Sequence, residues 1–328
     1  MLIVPILRWS LAAAGLVTLI LAGMVAMPVV RPPELAAVSD GVKAADRSNI
    51  PPLRFTQARD GTHLAYRHYP AQGPSRGAAI LIHGSSGSSV AVHPLARVLA
   101  DRGIESFAPD MRGHGASGTR GDISYLGQLD DDLADLVGRI RQDGVSAPLM
   151  LVGHSSGGGF ALRISGSPLQ NLFTHSVLLA PWLGTNSPSS RSNAGGWASP
   201  NLPRIVALSI LRGAGIVCCD QLPVIAFAVP PHSSRILTSE YSMRLLTNFG
   251  ANRNYRGDLA TAKQPITLIG AADDELMHAG KYEEAVRGTS ATVDVRILDN
   301  ARHMDVVTSP PTLTRVADVI ANLHGSRQ

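Results

Sequence analysis

Ser155 lies in Gly153-His154-Ser155-Ser156-Gly157, a Gly-x-Ser-x-Gly pattern, directly after the apolar run Leu149-Met150-Leu151-Val152. A short buried strand feeding such a pentapeptide predicts a nucleophile elbow, a sharp strand-to-helix turn that holds a serine hydroxyl at the edge of a sheet. The flanking glycines are required because a Cβ at either would collide with backbone in so tight a bend. A helix beginning just after the serine would place its oxygen at a helix N-terminus, where free N–H groups favour a developing anion. The same pentapeptide also fits a glycine-rich turn without chemistry, so the other members of a site must be sought elsewhere in the chain.

A serine hydroxyl becomes nucleophilic beside a base that takes its proton, and that base needs a third group to orient it. His303 lies in Asn300-Ala301-Arg302-His303-Met304-Asp305, between the last expected strand and the last expected helix. Asp273 and Asp274 follow a strand that ends in Gly270. These loops leave the C-terminal ends of expected parallel strands, the edge where open α/β sheets bind ligands. The order Ser, Asp, His is that of hydrolases with this elbow. Spacing from Gly270 favours Asp273 as the acid, whereas Leu276-Met277, re-entering the core after the acidic pair, favours Asp274. Asp274 is the preferred acid and Asp273 the alternative. His154, next to the nucleophile on the turn, cannot readily reach round to deprotonate it. Two backbone N–H groups are expected to hold the oxyanion, that of Ser156 and that of Ser85 in His83-Gly84-Ser85.

The elements that must carry these loops alternate along the chain. Residues 53–58 and 63–69 are β-rich runs joined by Arg59-Asp60-Gly61, which predicts a hairpin. Strands at 78–82 and 104–108 flank a helix over 92–102, and Leu129, Leu133, Leu136, Val137 and Ile140 make one face of a helix over 126–140. The acidic start of that helix, Asp130 to Asp132, suits the positive dipole end rather than a metal. After the elbow come a strand at 176–180, then strands at 266–269 and 293–298 with helices at 281–287 and 313–323. This alternation predicts a mostly parallel sheet covered on both faces. It breaks between 183 and 258, where Ser/Asn/Gly/Pro-rich loops surround an apolar stretch over 205–229 and a helix near 241–249. Arg212, Asp220 and Pro223 interrupt the stretch, so a cap over the core is expected rather than a second membrane span.

With 45% hydrophobic and 16% charged residues in 328, the chain is globular and has ample material for a core. A net charge of +4 without a dense Lys/Arg run argues against nucleic acid as a partner. The only cysteines, Cys218 and Cys219, are adjacent, which offers neither a metal-binding spacing nor a disulfide framework; they are expected to pack. Residues 11–30 are apolar apart from Thr18, long enough to cross a bilayer and longer than the core of a cleaved signal segment. An uncleaved anchor is therefore expected over 1–30, a cleaved signal segment being the alternative, with a Pro/Ala-rich linker over 31–52. Arg8 precedes the segment, and Arg31 after it is soon offset by Glu34 and Asp40, so the catalytic part is expected on the extracytoplasmic side.

Taken together, His83-Gly84-Ser85, residues 110–117 (Asp-Met-Arg-Gly-His-Gly-Ala-Ser), the elbow, the acid loop from Gly270 to Met277 and His303 resemble the α/β-hydrolase superfamily. The likeness is greatest to its lysophospholipase and monoacylglycerol lipase branch and covers about residues 53–323. It implies an α/β-hydrolase fold with an eight-stranded sheet and a helical cap inserted after the sixth strand. The core would then comprise 53–182 and 259–328 and the cap 183–258. It also implies Ser155, Asp274 and His303 as a triad, with Ser85 and Ser156 as oxyanion donors. The membrane segment and the doubled aspartate depart from the soluble members. The expected activity is hydrolysis of a lipid-like carboxylic ester, a monoacylglycerol or a lysophospholipid, without metal or organic cofactor. Peptidase, thioesterase or C–C hydrolase activity on the same triad, or a silent membrane-anchored binding module, are the rivals.

Overall fold

A computed structural model describes residues 3–230, 233 and 237–325. An apolar helix, α1 (Ile3–Ala26), and a short one, α2 (Ala36–Ala44), precede the sheet strands β1 (Arg54–Gln57), β2 (His63–Tyr69) and β3 (Gly77–Ile82). Then come α3 (His93–Asp101), β4 (Ile104–Pro109), α4 (Gln128–Gln142), β5 (Leu149–His154), α5 (Ser156–Ser165) and β6 (His175–Leu179). A segment with β7 (Ala198–Pro200), α6 (Leu202–Gly213), β8 (Pro223–Phe227), β9 (Glu240–Ser242) and α7 (Met243–Asn248) follows. The chain closes with α8 (Tyr255–Thr261), β10 (Ile266–Ala271), α9 (Tyr282–Val286), β11 (Val293–Leu298), α10 (Asp305–Thr308) and α11 (Pro310–Gly325).

Eight strands form one sheet in the order β1-β2-β4-β3-β5-β6-β10-β11. Only the β1–β2 and β2–β4 pairings are antiparallel; the rest are parallel. Strands β3, β5, β6 and β10 are buried along their whole length, as continuous apolar runs covered on both faces should be. The predicted alternation therefore sets the sheet, and the order of its strands brings the ends of β3, β5, β10 and β11 to one edge.

Four expectations need correction. The cap is not purely helical: β7, β8 and β9 pair as a separate antiparallel sheet beside α6, and α8 packs on α5 in the core rather than on the cap. Strands of three to five residues carry too few alternations to be legible as a period. The stretch over 31–52 is not a bare linker, since it holds α2 with Val38 buried. Cys218 is exposed and Cys219 half-buried, so the pair does not serve the core. Finally, the three aspartates opening α4 do more than face a helix dipole: Asp130 pairs with Arg163, Asp131 with Arg59 and Asp132 with Arg112.

The last pair is the most buried. Arg112, 5% exposed, forks onto Asp132 through Nε and Nη2, both at 2.7 Å, and donates to Thr62 Oγ1 at 2.9 Å. It fixes the loop after β4, in which Asp110 accepts from the Ser89 and Ala116 N–H groups at 2.7 and 2.9 Å. Arg112→Ala would strand Asp132 as a buried charge. It is expected to lower the unfolding free energy by about 3–5 kcal/mol, read as a lower urea midpoint at unchanged slope.

Helix α1 stands apart from this core. Its segment Trp9–Ala26 has a mean hydropathy of 2.0 and none of it is buried, so it is not the core helix of a globular domain. Its end is gripped by the cap. Arg204 Nε donates to the Val25 carbonyl at 2.7 Å, and Asn201 Nδ2 donates to those of Met27 and Pro28 at 2.9 and 3.0 Å. From there the chain is strapped along the body. Arg31 pairs with Glu240 at 3.1 Å, and His93 Nε2–H donates to the Ser48 carbonyl at 3.0 Å. Arg97 pairs with Asp46.

Candidate active site

Ser155 joins β5 to α5 with φ 55° and ψ −119°, outside the regions L-residues prefer. The neighbouring glycines show what holds it there. A Cβ on Gly153 would lie 2.1 Å from the Gly157 carbonyl oxygen, and one on Gly157 would lie 2.4 Å from that of His83. No L side chain fits at either place. As the first residue of α5, Ser156 has no intrahelical acceptor for its N–H.

His303 and Asp274 meet in the buried interior. The ring Nδ1 is 2.9 Å from Asp274 Oδ2 and 3.1 Å from Oδ1, so Nδ1–H donates to the carboxylate, and in the neutral ring Nε2 is the acceptor. Asp274 Oδ1 also accepts from the Leu276 and Met277 N–H groups at 2.8 and 2.9 Å. Burial pushes the Asp274 carboxyl up; the His303 ring, its hydrogen bond and the two amides outweigh that and leave it below the ordinary carboxylate value. Asp273 is exposed, and the carboxylate hydrogen-bonded to the ring is that of Asp274. His303 is further fixed by its own N–H, which donates to Glu275 Oε2 at 3.0 Å. Arg191 braces the acid loop, its Nε donating to the Met277 carbonyl at 3.1 Å and its Nη2 to that of Asp274 at 3.3 Å.

His154 is a different kind of histidine. Its Nε2–H donates to the His303 carbonyl at 3.2 Å, and burial, reinforced by the His303 ring, pushes its pKa down to about 3. It stays neutral and structural.

The loop after β3 runs close to the serine: a Cβ on Gly84 would stand 3.1 Å from Ser155 Cβ. His83 shapes that loop, with Nδ1–H donating to the Gly84 carbonyl at 2.8 Å and Nε2 accepting from the Met111 N–H at 3.1 Å. The Ser85 N–H has no hydrogen-bond partner among the described residues.

Ser155, His154 and His303 share a cavity of about 330 Å³ with Ser85 and Ser86. That volume is near the lower end of the ~300–1,000 Å³ of small-molecule pockets. Much of its wall comes from outside the α/β core. Val38, Val42, Ala45, Arg47 and Ile50 of the N-terminal strap line it, together with Trp197 and Leu237 of the cap and Leu276. Helix α2 seats tightly beside the histidine loop, since a Cβ on Gly41 would come within 2.8 Å of Met304 Cβ. No local pattern in residues 31–52 announces this role, because the residues of the body that the strap meets, such as Met304, Arg97 and His93, are distant in sequence.

Residues 73–306 match the family described as serine aminopeptidase, S33 (Hydrolase_4). The chain is 32% identical over 100 residues to the monoacylglycerol lipase of Mycolicibacterium smegmatis, covering 30% of this chain and 36% of that protein. It is 30% identical over 132 residues to the monoglyceride lipase of Homo sapiens, covering 40% and 43%. It thus spans less than half the length of these curated relatives. Among solved structures it is similar to a soluble variant of the Saccharomyces cerevisiae monoglyceride lipase in complex with a substrate analog, with a TM-score of 0.63 at 16% identity over 85% of this chain and 96% of that one. It is also similar to a membrane phospholipase A described as a bacterial virulence factor, with a TM-score of 0.58 at 16% identity over 99% and 98%.

Proposed function

Because the chain belongs to the serine aminopeptidase S33 family of α/β-hydrolases, we propose that it is a membrane-anchored serine hydrolase that cleaves the carboxylic ester of a single-chain lipid through an acyl-serine intermediate. The observation that carries this reading is that His303, bonded to Asp274, and Ser155 line one largely apolar cavity. The lipase names of the relatives and the phospholipase name of the full-length structural neighbour support the substrate class.

In this mechanism Ser155 Oγ attacks the ester carbonyl while His303 Nε2 takes its proton and Asp274 stabilises the imidazolium. The N–H groups of Ser85 and Ser156 donate hydrogen bonds to the oxyanion. His303 then returns the proton to the departing alcohol, and a water activated by the same nitrogen hydrolyses the acyl-serine. Ser155 Oγ makes no hydrogen bond to the His303 ring, whose Nδ1 is bonded to Asp274; the mechanism requires the serine–histidine contact to close in the substrate complex. The length of Trp9–Ala26 and its lack of burial favour the anchor, with the catalytic part extracytoplasmic, where it would meet a monoacylglycerol or lysophospholipid at the bilayer surface. Arg47, at the cavity wall, offers a guanidinium to an anionic head group.

The test is a fluorophosphonate label on the full-length protein in detergent, located by mass spectrometry, with rates on matched ester, thioester and amide substrates of graded acyl length. Label on Ser155 and preferential turnover of esters with longer chains are expected. A preference for the amide would make the protein a peptidase, and absence of label would make it a binding module.

A further inference from the structure

The loop that follows β3 is held from the far side by the cap. Ser86 adopts a left-handed φ of 65°, and its N–H donates to Tyr241 Oη at 2.8 Å. Its carbonyl accepts from the Thr238 N–H at 3.0 Å. One residue earlier, Ser85 Oγ accepts from Trp197 Nε1–H at 2.8 Å. All three partners lie between β6 and α8, in the segment built around β7, β8 and β9.

The hydrogen-bond polarity around Tyr241 is determined. His114 Nδ1 faces the Arg112 carbonyl at 3.3 Å, and a carbonyl only accepts, so Nδ1 carries the ring proton. Burial, with the neighbouring His83 ring, holds His114 well below its ordinary pKa and therefore neutral. Its Nε2 then accepts from the Tyr241 O–H at 2.6 Å, which leaves the phenol's lone pairs for the Ser86 N–H. The phenol ring is fully enclosed and stands edge-on to His114 and Phe227, with centroids 5.1 and 4.6 Å apart. A tyrosine so confined presents a fixed acceptor.

Ser85 lies between two peptide planes. The plane that carries its N–H is held at the Gly84 carbonyl by His83 Nδ1–H and the Gly87 N–H, while the plane on its C-terminal side is pinned by Tyr241 and its side chain by Trp197, so core and cap fix the residue from opposite sides. We propose that Tyr241, assisted by Trp197, is a positioning residue that aims the Ser85 N–H at the oxygen becoming negative when Ser155 attacks. The inference rests on the acyl-serine reading above. It makes seating of the cap a condition for stabilising the tetrahedral intermediate, separate from any contact of the cap with the acyl chain.

Tyr241→Phe keeps the ring and removes the acceptor. Loss of a whole oxyanion donor lowers kcat by about 10²–10³, and a misdirected one should lower it by about 10- to 100-fold. On p-nitrophenyl butyrate that fall is expected with KM changed less than about threefold, and inhibition by a trifluoromethyl ketone, which forms an anionic tetrahedral adduct, should weaken by the same factor. A purely structural role would lower the melting temperature without moving kcat and ketone affinity together. Unchanged kcat in a folded variant, or ketone affinity that does not follow kcat, overturns the proposal. Should Tyr241→Phe fail to fold, Trp197→Phe decides by the same pair of readouts. If the parent protein takes no fluorophosphonate on Ser155, the acyl-serine reading itself has failed; if it does and both variants are indifferent, only this inference has.

Discussion

Ser155→Ala is expected to lower kcat on p-nitrophenyl esters by roughly 10⁴- to 10⁶-fold, leaving the small residual rate that bound substrate and oxyanion donors supply without a nucleophile. The substitution isolates the chemistry. Alanine carries the same Cβ into the same φ of 55°, so the strain at the turn is already present in the parent, and the glycines that permit it are untouched. Circular dichroism and the urea midpoint should therefore match the parent while fluorophosphonate labelling disappears. A variant that keeps a tenth or more of the parental rate, about 1.4 kcal/mol of barrier, would remove Ser155 from the mechanism.

Asp274→Asn carries the second-largest effect, about 10⁴-fold in kcat, because an amide cannot reward the Nδ1–H tautomer that leaves Nε2 free to accept the serine proton. The adjacent Asp273→Asn should change kcat less than about twofold, since that side chain is exposed and the ring Nδ1 is bonded to Asp274 instead. Measured side by side, the two separate the acid from its neighbour; equal effects would discard the assignment. The same carboxylate has a signature in stability. Its pKa lies below the ordinary 3.8 when folded, so its contribution is complete above that value and is lost as pH falls through the depressed one. Acid unfolding below about pH 4 should therefore be less steep in Asp274→Asn than in the parent.

The difference between these two aspartates also marks where sequence reasoning stops. Ser155 was legible because the elbow demands glycine at fixed local offsets, and His303 because it lies in a strand-end loop late in the chain. The acid loop leaves two adjacent carboxylates, and the amides of Leu276 and Met277 decide between them, which is a matter of three-dimensional turn geometry. The mostly parallel sheet followed from short apolar runs alternating with helices, whereas the order of its strands came only from the structure. The cap sheet escaped because strands of three to five residues carry no readable period. Tyr241 and Trp197 looked like ordinary apolar residues of an irregular segment, since their partners in the loop after β3 lie more than a hundred residues earlier. Helix α2 was hidden for the same reason.

The strap over residues 36–50 bears on how such a protein is handled at the bench. Trimming the chain at residue 53 to obtain a water-soluble catalytic fragment would take Val38, Val42, Ala45 and Ile50 away with the greasy leader and leave the chamber breached beside Met304. Severing it between residues 30 and 35 instead would spare that side, so the two trimmed forms should differ in the acyl lengths they retain. A nick by a protease at the same stretch would act in the same way on the intact molecule.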